Sequence, residues 1–138
     1  MEGKFRLVQD IEKQDLGFAV LSWICHPGST GAKQLTLLEG RFAPGQGHSF
    51  HKHPDQEEIL YIVDGKVELW IGRERRILEP GEAAFMPAGT VHAAFNAADT
   101  DSRLLAILGP SVGDAGIEMV DVSGEAPWSM LRAEPVAG

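Results

Sequence analysis

The chain has little cysteine: Cys25 is the single one among 138 residues. No internal disulfide can form, so the core alone must hold the fold, and a reducing cytoplasm is the expected location. Cys25 itself reads as a small packed or loop residue, not a nucleophile. Long apolar runs are also missing. No stretch approaches the roughly 20 residues that span a bilayer, and no apolar segment follows a basic start, so neither membrane insertion nor secretion is expected. Basic clusters are scarce. Lys and Arg total 12 against 20 Asp and Glu, for a net charge of −8, and only Arg73, Arg75 and Arg76 lie close together, which disfavours nucleic acid as a partner.

What is abundant is turn chemistry. Asp64-Gly65, Gly72-Arg73, Pro80-Gly81 and Ala88-Gly89 recur at short intervals, followed by a polar run from Asn96 to Ser102. The stretches between them, such as KVELWI and TVHAAF, are too short for helices. In the first, Val67, Leu69 and Ile71 alternate with Lys66, Glu68 and Trp70, the period of a strand with one buried face. Asp64-Gly65 between apolar runs predicts a tight type I′ hairpin turn. Short alternating strands with frequent turns predict an all-β barrel or sandwich. One domain accounts for a chain of this length, and it is large enough to bury a core without staples.

The chemistry concentrates in two glycine-framed segments. His51 and His53 stand two apart, so in extended chain both imidazoles leave the same face of a strand. Glu58 follows five residues later, and a separate segment returns His92. Three neutral nitrogens and one carboxylate oxygen can close on a single divalent ion. Glu57 points the opposite way from Glu58 in a strand and is assigned to the outside. Glu58, Leu60 and Ile62 then line the interior. Ile59, Tyr61 and Val63 form an equally apolar second face, which predicts cover by another sheet or by a second subunit, hence a homodimer. His92 shares its face with Ala94 and Asn96, and Asn96 reads as a turn residue bonded to backbone. Pro87 belongs at a strand end.

Both frames are complete. Gly45, His51, His53, Glu58 and Gly65 fit G-x5-H-x-H-x4-E-x6-G, and Gly81, Pro87, Gly89, His92 and Asn96 fit G-x5-P-x-G-x2-H-x3-N. These patterns, in this order, resemble the two signature motifs of the cupin family. The resemblance implies a double-stranded β-helix, or jelly-roll, barrel over residues 35–110. Residues 1–34 are then N-terminal strands and a connector packed on the barrel, and residues 111–138 a C-terminal strand and tail. FRLVQ and FAVLSWI read as the N-terminal strands. HPGSTGAK reads as a plain connector, since Gly28, Gly31 and Lys33 miss the phosphate-loop spacing. IEMVDV and APWSML, the latter with Trp128, read as a short strand or turn packed across the barrel, with loose order at the last residues.

The implied cofactor is one divalent ion per chain (Fe, Mn, Ni or Zn) held by His51, His53, Glu58 and His92, with positions left open for a small-molecule ligand. Cupins include dioxygenases, oxalate-type decarboxylases and oxidases, isomerases, and proteins that only bind a small molecule, and the fold alone does not choose. Thiol dioxygenases usually lack the glutamate ligand and sugar epimerases the full set, so the complete quartet favours a metal-dependent oxidoreductase of the dioxygenase type acting on a small organic acid or phenolic. The alternative is a non-catalytic small-molecule-binding cupin, or one whose metal is mainly structural. No catalytic residue beyond the ligands is assigned. His48, Glu39 and Arg41 are candidates to reach the cavity, with the register unresolved, and His26 lies outside the frame.

Overall fold

The computed structural model describes residues 2–132. The end of the tail, for which the sequence predicts loose order, lies outside the described residues. The strands in chain order are β1 (Glu12–Asp15), β2 (Val20–Cys25), β3 (Thr36–Phe42), β4 (Gly47–Lys52), β5 (Glu57–Asp64), β6 (Val67–Ile71), β7 (Glu74–Leu78), β8 (Ala83–Met86), β9 (His92–Asn96), β10 (Ser102–Gly109) and β11 (Val120–Asp121). They form two antiparallel sheets, ordered β1-β2-β3-β10-β5-β8 and β11-β4-β9-β6-β7. This is the expected all-β jelly-roll barrel. Single helical turns α1 (Pro27–Thr30) and α2 (Trp128–Leu131) interrupt the flanks. No helix among the described residues is long and apolar enough to cross a membrane.

The core follows from strand alternation. In β10 the odd-even pattern sends Ser102, Leu104, Ala106 and Leu108 inward, while Arg103, Leu105 and Ile107 face out. In β5 it sends Glu58, Leu60 and Ile62 inward and leaves Ile59 and Tyr61 each 40% exposed. Leu38, Leu60, Ile62, Val67, Leu69, Leu104 and Leu108 meet between the sheets. Burying one such aliphatic side chain is worth about 2 kcal/mol. The interior is therefore the main source of stability.

Several expectations are corrected. Asp64-Gly65 joins no hairpin: β5 pairs with β10 and β8, and β6 with β7 and β9, so this turn carries the chain from one sheet to the other. Gly65 has φ 78°, and a Cβ there would lie 2.6 Å from Ser102 Oγ, so the crossing needs glycine for both conformation and space. Among the described residues no non-glycine residue has positive φ, which also rules out a type I′ turn at Asp64. The true tight hairpin is β6–β7, where Gly72 at φ 56° leads a two-residue loop as a type II′ turn requires.

The second face of β6 is not solvated: Glu68 and Trp70 are buried with Val67 and Leu69. A second apolar cluster of Phe50, Trp70, Ala93, Phe95 and Val122 lies there, closed by Trp128 and Leu131 of the tail. APWSML thus ends in a helical turn packed across the five-stranded sheet, with Trp128 stacked on Phe50 at 5.8 Å. Within IEMVDV only Val120–Asp121 pairs, against β4. FRLVQ is not a strand: Phe5 and Val8 are exposed, and a short 3-10 turn spans Val8–Asp10. HPGSTGAK is a connector holding α1, which His26 caps through Gly28 N–H. Pro87 follows the end of β8. The outer face of β5 meets no other sheet among the described residues.

Candidate metal centre

The two sheets bring the quartet together from opposite sides. β4 and β9 are neighbours, with His51 directly opposite His92, and His53 follows the end of β4. Glu58 enters from β5 in the facing sheet. All four residues are buried, and one ligand atom from each lies within 4.8 Å of the others. Glu57 is exposed, as its opposite register requires.

Each imidazole is oriented by a backbone carbonyl. Nδ1 of His51 lies 2.7 Å from Ser49 O, that of His53 2.8 Å from Glu118 O, and that of His92 2.9 Å from Thr90 O. A carbonyl only accepts, so each Nδ1 carries the proton and donates, and each Nε2 presents a lone pair to the centre. Glu58 Oε1 stands 2.7 Å from His92 Nε2 and 3.4 Å from His53 Nε2. None of these three atoms has a hydrogen bond of acceptable geometry. Electron pairs turned on one another in a buried site repel unless a cation, a proton included, lies among them. The donor set of three nitrogens and a carboxylate oxygen, with carbonyls fixing the rings from behind, therefore fits one divalent ion.

In the bare cluster a proton can take the place of the ion between Glu58 and the rings. Burial alone would raise the Glu58 carboxyl, but the imidazoles of His53 and His92 outweigh it and hold the pKa at about 2. Burial pulls the His53 ring down, yet Glu58 and the Glu118 carbonyl bring it above 6.5. His51 is held well below its ordinary range, first by burial and then by the neighbouring His48 and His92. The carboxylate thus stays ionised at neutral pH without an ion.

His48 joins the site through an irregularity that spacing does not reveal. Three positions from His51, it would face away in a regular strand. The β4–β9 register shifts between these two residues, a bulge that turns both rings to one side. They stack at 3.7 Å, and Phe18 stacks on His48 at 4.6 Å. Burial, then the charge of His92, lowers the His48 pKa to about 4. Glu39 and Arg41 do not reach the cavity: Leu38, Gly40 and Phe42 line it from the same strand, while Glu39 meets Arg103 at 3.4 Å and Arg41 meets Asp101 at 3.8 Å outside. Asn96 binds backbone and does not touch the cavity.

The cluster opens into a cavity of about 230 Å³. Much of its wall comes from segments the motifs do not cover: Leu16, Phe18, Leu21 and Trp23 around the β1–β2 hairpin, and Ile117 and Met119 after β10. The alternation of Leu21 and Trp23 in FAVLSWI is the signal that points inward. Nothing in the spacing marks Glu118 as the residue whose carbonyl orients His53.

Known proteins bear on this geometry. A Streptomyces cyaneus protein named polyketide synthase CurC is 26% identical over 129 residues, covering 94% of this chain and 84% of that one. Quercetin 2,3-dioxygenase of Bacillus subtilis is 37% identical over 84 residues, 59% of this chain but 24% of that protein. The structure of KdgF from Halomonas sp. superposes with a TM-score of 0.72 at 26% identity, covering 82% of this chain and 98% of that one. The family described as Cupin domain matches residues 38–108, just over half the sequence and the region that contains all four clustered residues. The chain belongs to the cupin family.

Proposed function

We propose that this cupin is a metal-dependent oxidoreductase of the dioxygenase type, acting on a small oxygen-bearing organic molecule. The observation that carries the reading is the quartet itself: four buried donor atoms within 4.8 Å, three of them without hydrogen bonds, opening on an apolar cavity. His51, His53, Glu58 and His92 would hold the ion, which when bound supplies a Lewis acid and, if redox-active, reactivity toward O₂. The chain's own residues do the rest. Carbonyls of Ser49, Glu118 and Thr90 fix the rings. Leu38, Phe42 and Leu104 give the cavity an apolar wall, which strengthens electrostatic contacts inside it. Likeness to part of a quercetin dioxygenase supports this reading. The test is elemental analysis of protein purified without added metal, followed by oxygen uptake with iron- or manganese-loaded protein over catechols, diketones and small acids. Uptake with one substrate class is expected, and none with any metal overturns the reading.

The second reading is a cupin that binds a small molecule without oxidising it, or whose metal is mainly structural. A relative that covers 94% of this chain carries a polyketide synthase name, which favours it. Tight binding of one ligand without oxygen uptake would establish it.

We also propose a homodimer in the cytoplasm. The single cysteine supports the location. The pairing is supported by a row across four strands of the outer face, Leu37, Ile107, Ile59 and Phe85, in register with one another. Phe85 is 52% exposed. An apolar band of this kind on an uncovered sheet marks an interaction surface. Sedimentation of the wild-type chain should give a dimer and of Ile59→Lys a monomer, and a wild-type monomer at micromolar concentration overturns the proposal.

A further inference from the structure

The wall of the cavity selects among the ligands that an ion held by the quartet could accept. Apart from the quartet and His48, every lining residue is apolar, and among the described residues no lysine or arginine reaches the cavity. The indole N–H of Trp23 is already committed to Gln14 Oε1 at 3.1 Å. His48 is therefore the one remaining polar side chain, and its ring has no hydrogen bond among the described residues.

Charge then limits the occupant. A divalent ion less the Glu58 carboxylate leaves a single positive charge, enough for one anionic oxygen. A second carboxylate would be buried among leucines and phenylalanines without a cation, which costs several kcal/mol. The chain's net charge of −8 opposes the approach of dianions as well. Size sets the scale: an apolar cavity of about 150 Å³ holds benzene, so about 230 Å³ accommodates one substituted ring or two fused ones.

We propose that the cavity takes an uncharged, flat aromatic of one or two rings bearing a pair of adjacent oxygens, its rings packed on Phe18, Leu38, Phe42 and Leu104 and its polar edge within reach of His48. Small dicarboxylic acids are rejected. The proposal rests on the metal reading above and narrows its substrate class. Phe18 acts as a specificity residue, because its ring touches His48 at the cavity wall and offers a face on which an aromatic ligand stacks.

The test uses zinc-loaded full-length protein, so that binding is read without turnover. Calorimetric dissociation constants are measured for catechol and 3-hydroxychromone against oxalate and malonate, with zinc content checked before and after each titration. The aromatics should bind at least about tenfold more tightly, since burying one uncompensated carboxylate exceeds the energy of a tenfold change. Phe18→Ala should weaken the aromatics by about three- to tenfold and leave zinc content and the weak dianion binding unchanged. Dianions that bind as tightly as the aromatics, aromatics that do not bind, or a Phe18→Ala variant that affects both classes alike each overturn the proposal while zinc stays bound. Failure of the wild-type protein to hold zinc overturns the metal reading first, and this one with it.

Discussion

β9 carries a buried polar residue at each end, and the two are treated differently. At one end Asn96 donates to Phe42 O and Thr100 O and accepts from Ala98 N–H and Ser102 Oγ, all between 2.7 and 3.0 Å. Nothing is left over. At the other end His92 commits Nδ1 to Thr90 O and leaves Nε2 without a partner, facing an equally unpartnered carboxylate oxygen. The first arrangement is complete within the chain and holds together the turn from β9 to β10. The second is complete only when something binds. The contrast separates polar groups buried for stability from those buried for function, because a site meant to bind must forgo satisfying itself.

The sharpest break of this contrast is Glu58→Gln. Removing the only anionic donor of the quartet should cost more than the ~100-fold in metal affinity typical of losing an outer partner, and the metal-free protein should also lose stability at neutral pH, because the fold lowers the Glu58 pKa and so favours the ionised side chain. Metal titration and chemical denaturation read the two. Asn96→Ala should act on stability alone. Four hydrogen bonds at about 1 kcal/mol each put the loss of stability at about 4 kcal/mol, with metal stoichiometry unchanged; a fall in bound metal would show that the two ends are not independent.

Gln56 should blur the division. Its side chain is buried and donates to Pro110 O and Gly116 O while accepting from Glu118 N–H, and it thereby places the carbonyl that orients His53. Gln56→Leu is expected to lower stability by about 1–3 kcal/mol, the cost of unpaired backbone groups, and to weaken metal binding about tenfold. Stability loss with unchanged affinity would mean that His53 holds its orientation without the carbonyl.

The smallest effect concerns a charged group that is fully paired. Glu68 receives Arg132 Nε at 2.7 Å, Arg132 Nη2 at 3.0 Å and Trp70 Nε1 at 2.7 Å. Burial would raise its pKa, but Arg132 and Trp70 bring it below the ordinary 4.5. The folded-state pKa is the lower one, so the stabilisation is present above pH 4.5 and fades as pH falls toward the folded value. Denaturation midpoints followed from pH 6 to pH 3 should show this loss in the wild type and a flatter profile in Glu68→Gln. Equal slopes would remove Glu68 from the acid response.

Much of this was legible in the residues. The spacing of His51, His53, Glu58 and His92 named the whole quartet, and period-two alternation assigned Glu58 inward and Glu57 outward, because both depend only on local strand geometry. What stayed hidden depends on contacts distant in sequence. Lys66 to Ile71 reads as half-solvated until Trp128 and Arg132 cover its second face, with Arg132 lying 3.7 Å above the Phe95 ring. Asp64-Gly65 carries a turn signal, but no local feature says whether the next strand joins the same sheet or the facing one. His48 needs a bulge that only the paired strand reveals. The β1–β2 hairpin lines the cavity because the sheet curls, which its own residues do not record.

The 2.8 Å bond from His53 to Glu118 O links two parts of the molecule that carry no common motif. Whatever tightens the ring of His53 must also steady the strip of chain that follows β10, and by reciprocity any clamp on that strip must raise the grip of the quartet. Amide exchange near Ile117 and Met119, at the lip of the cavity, should therefore slow when the ion is supplied, making the rim itself a reporter of occupancy.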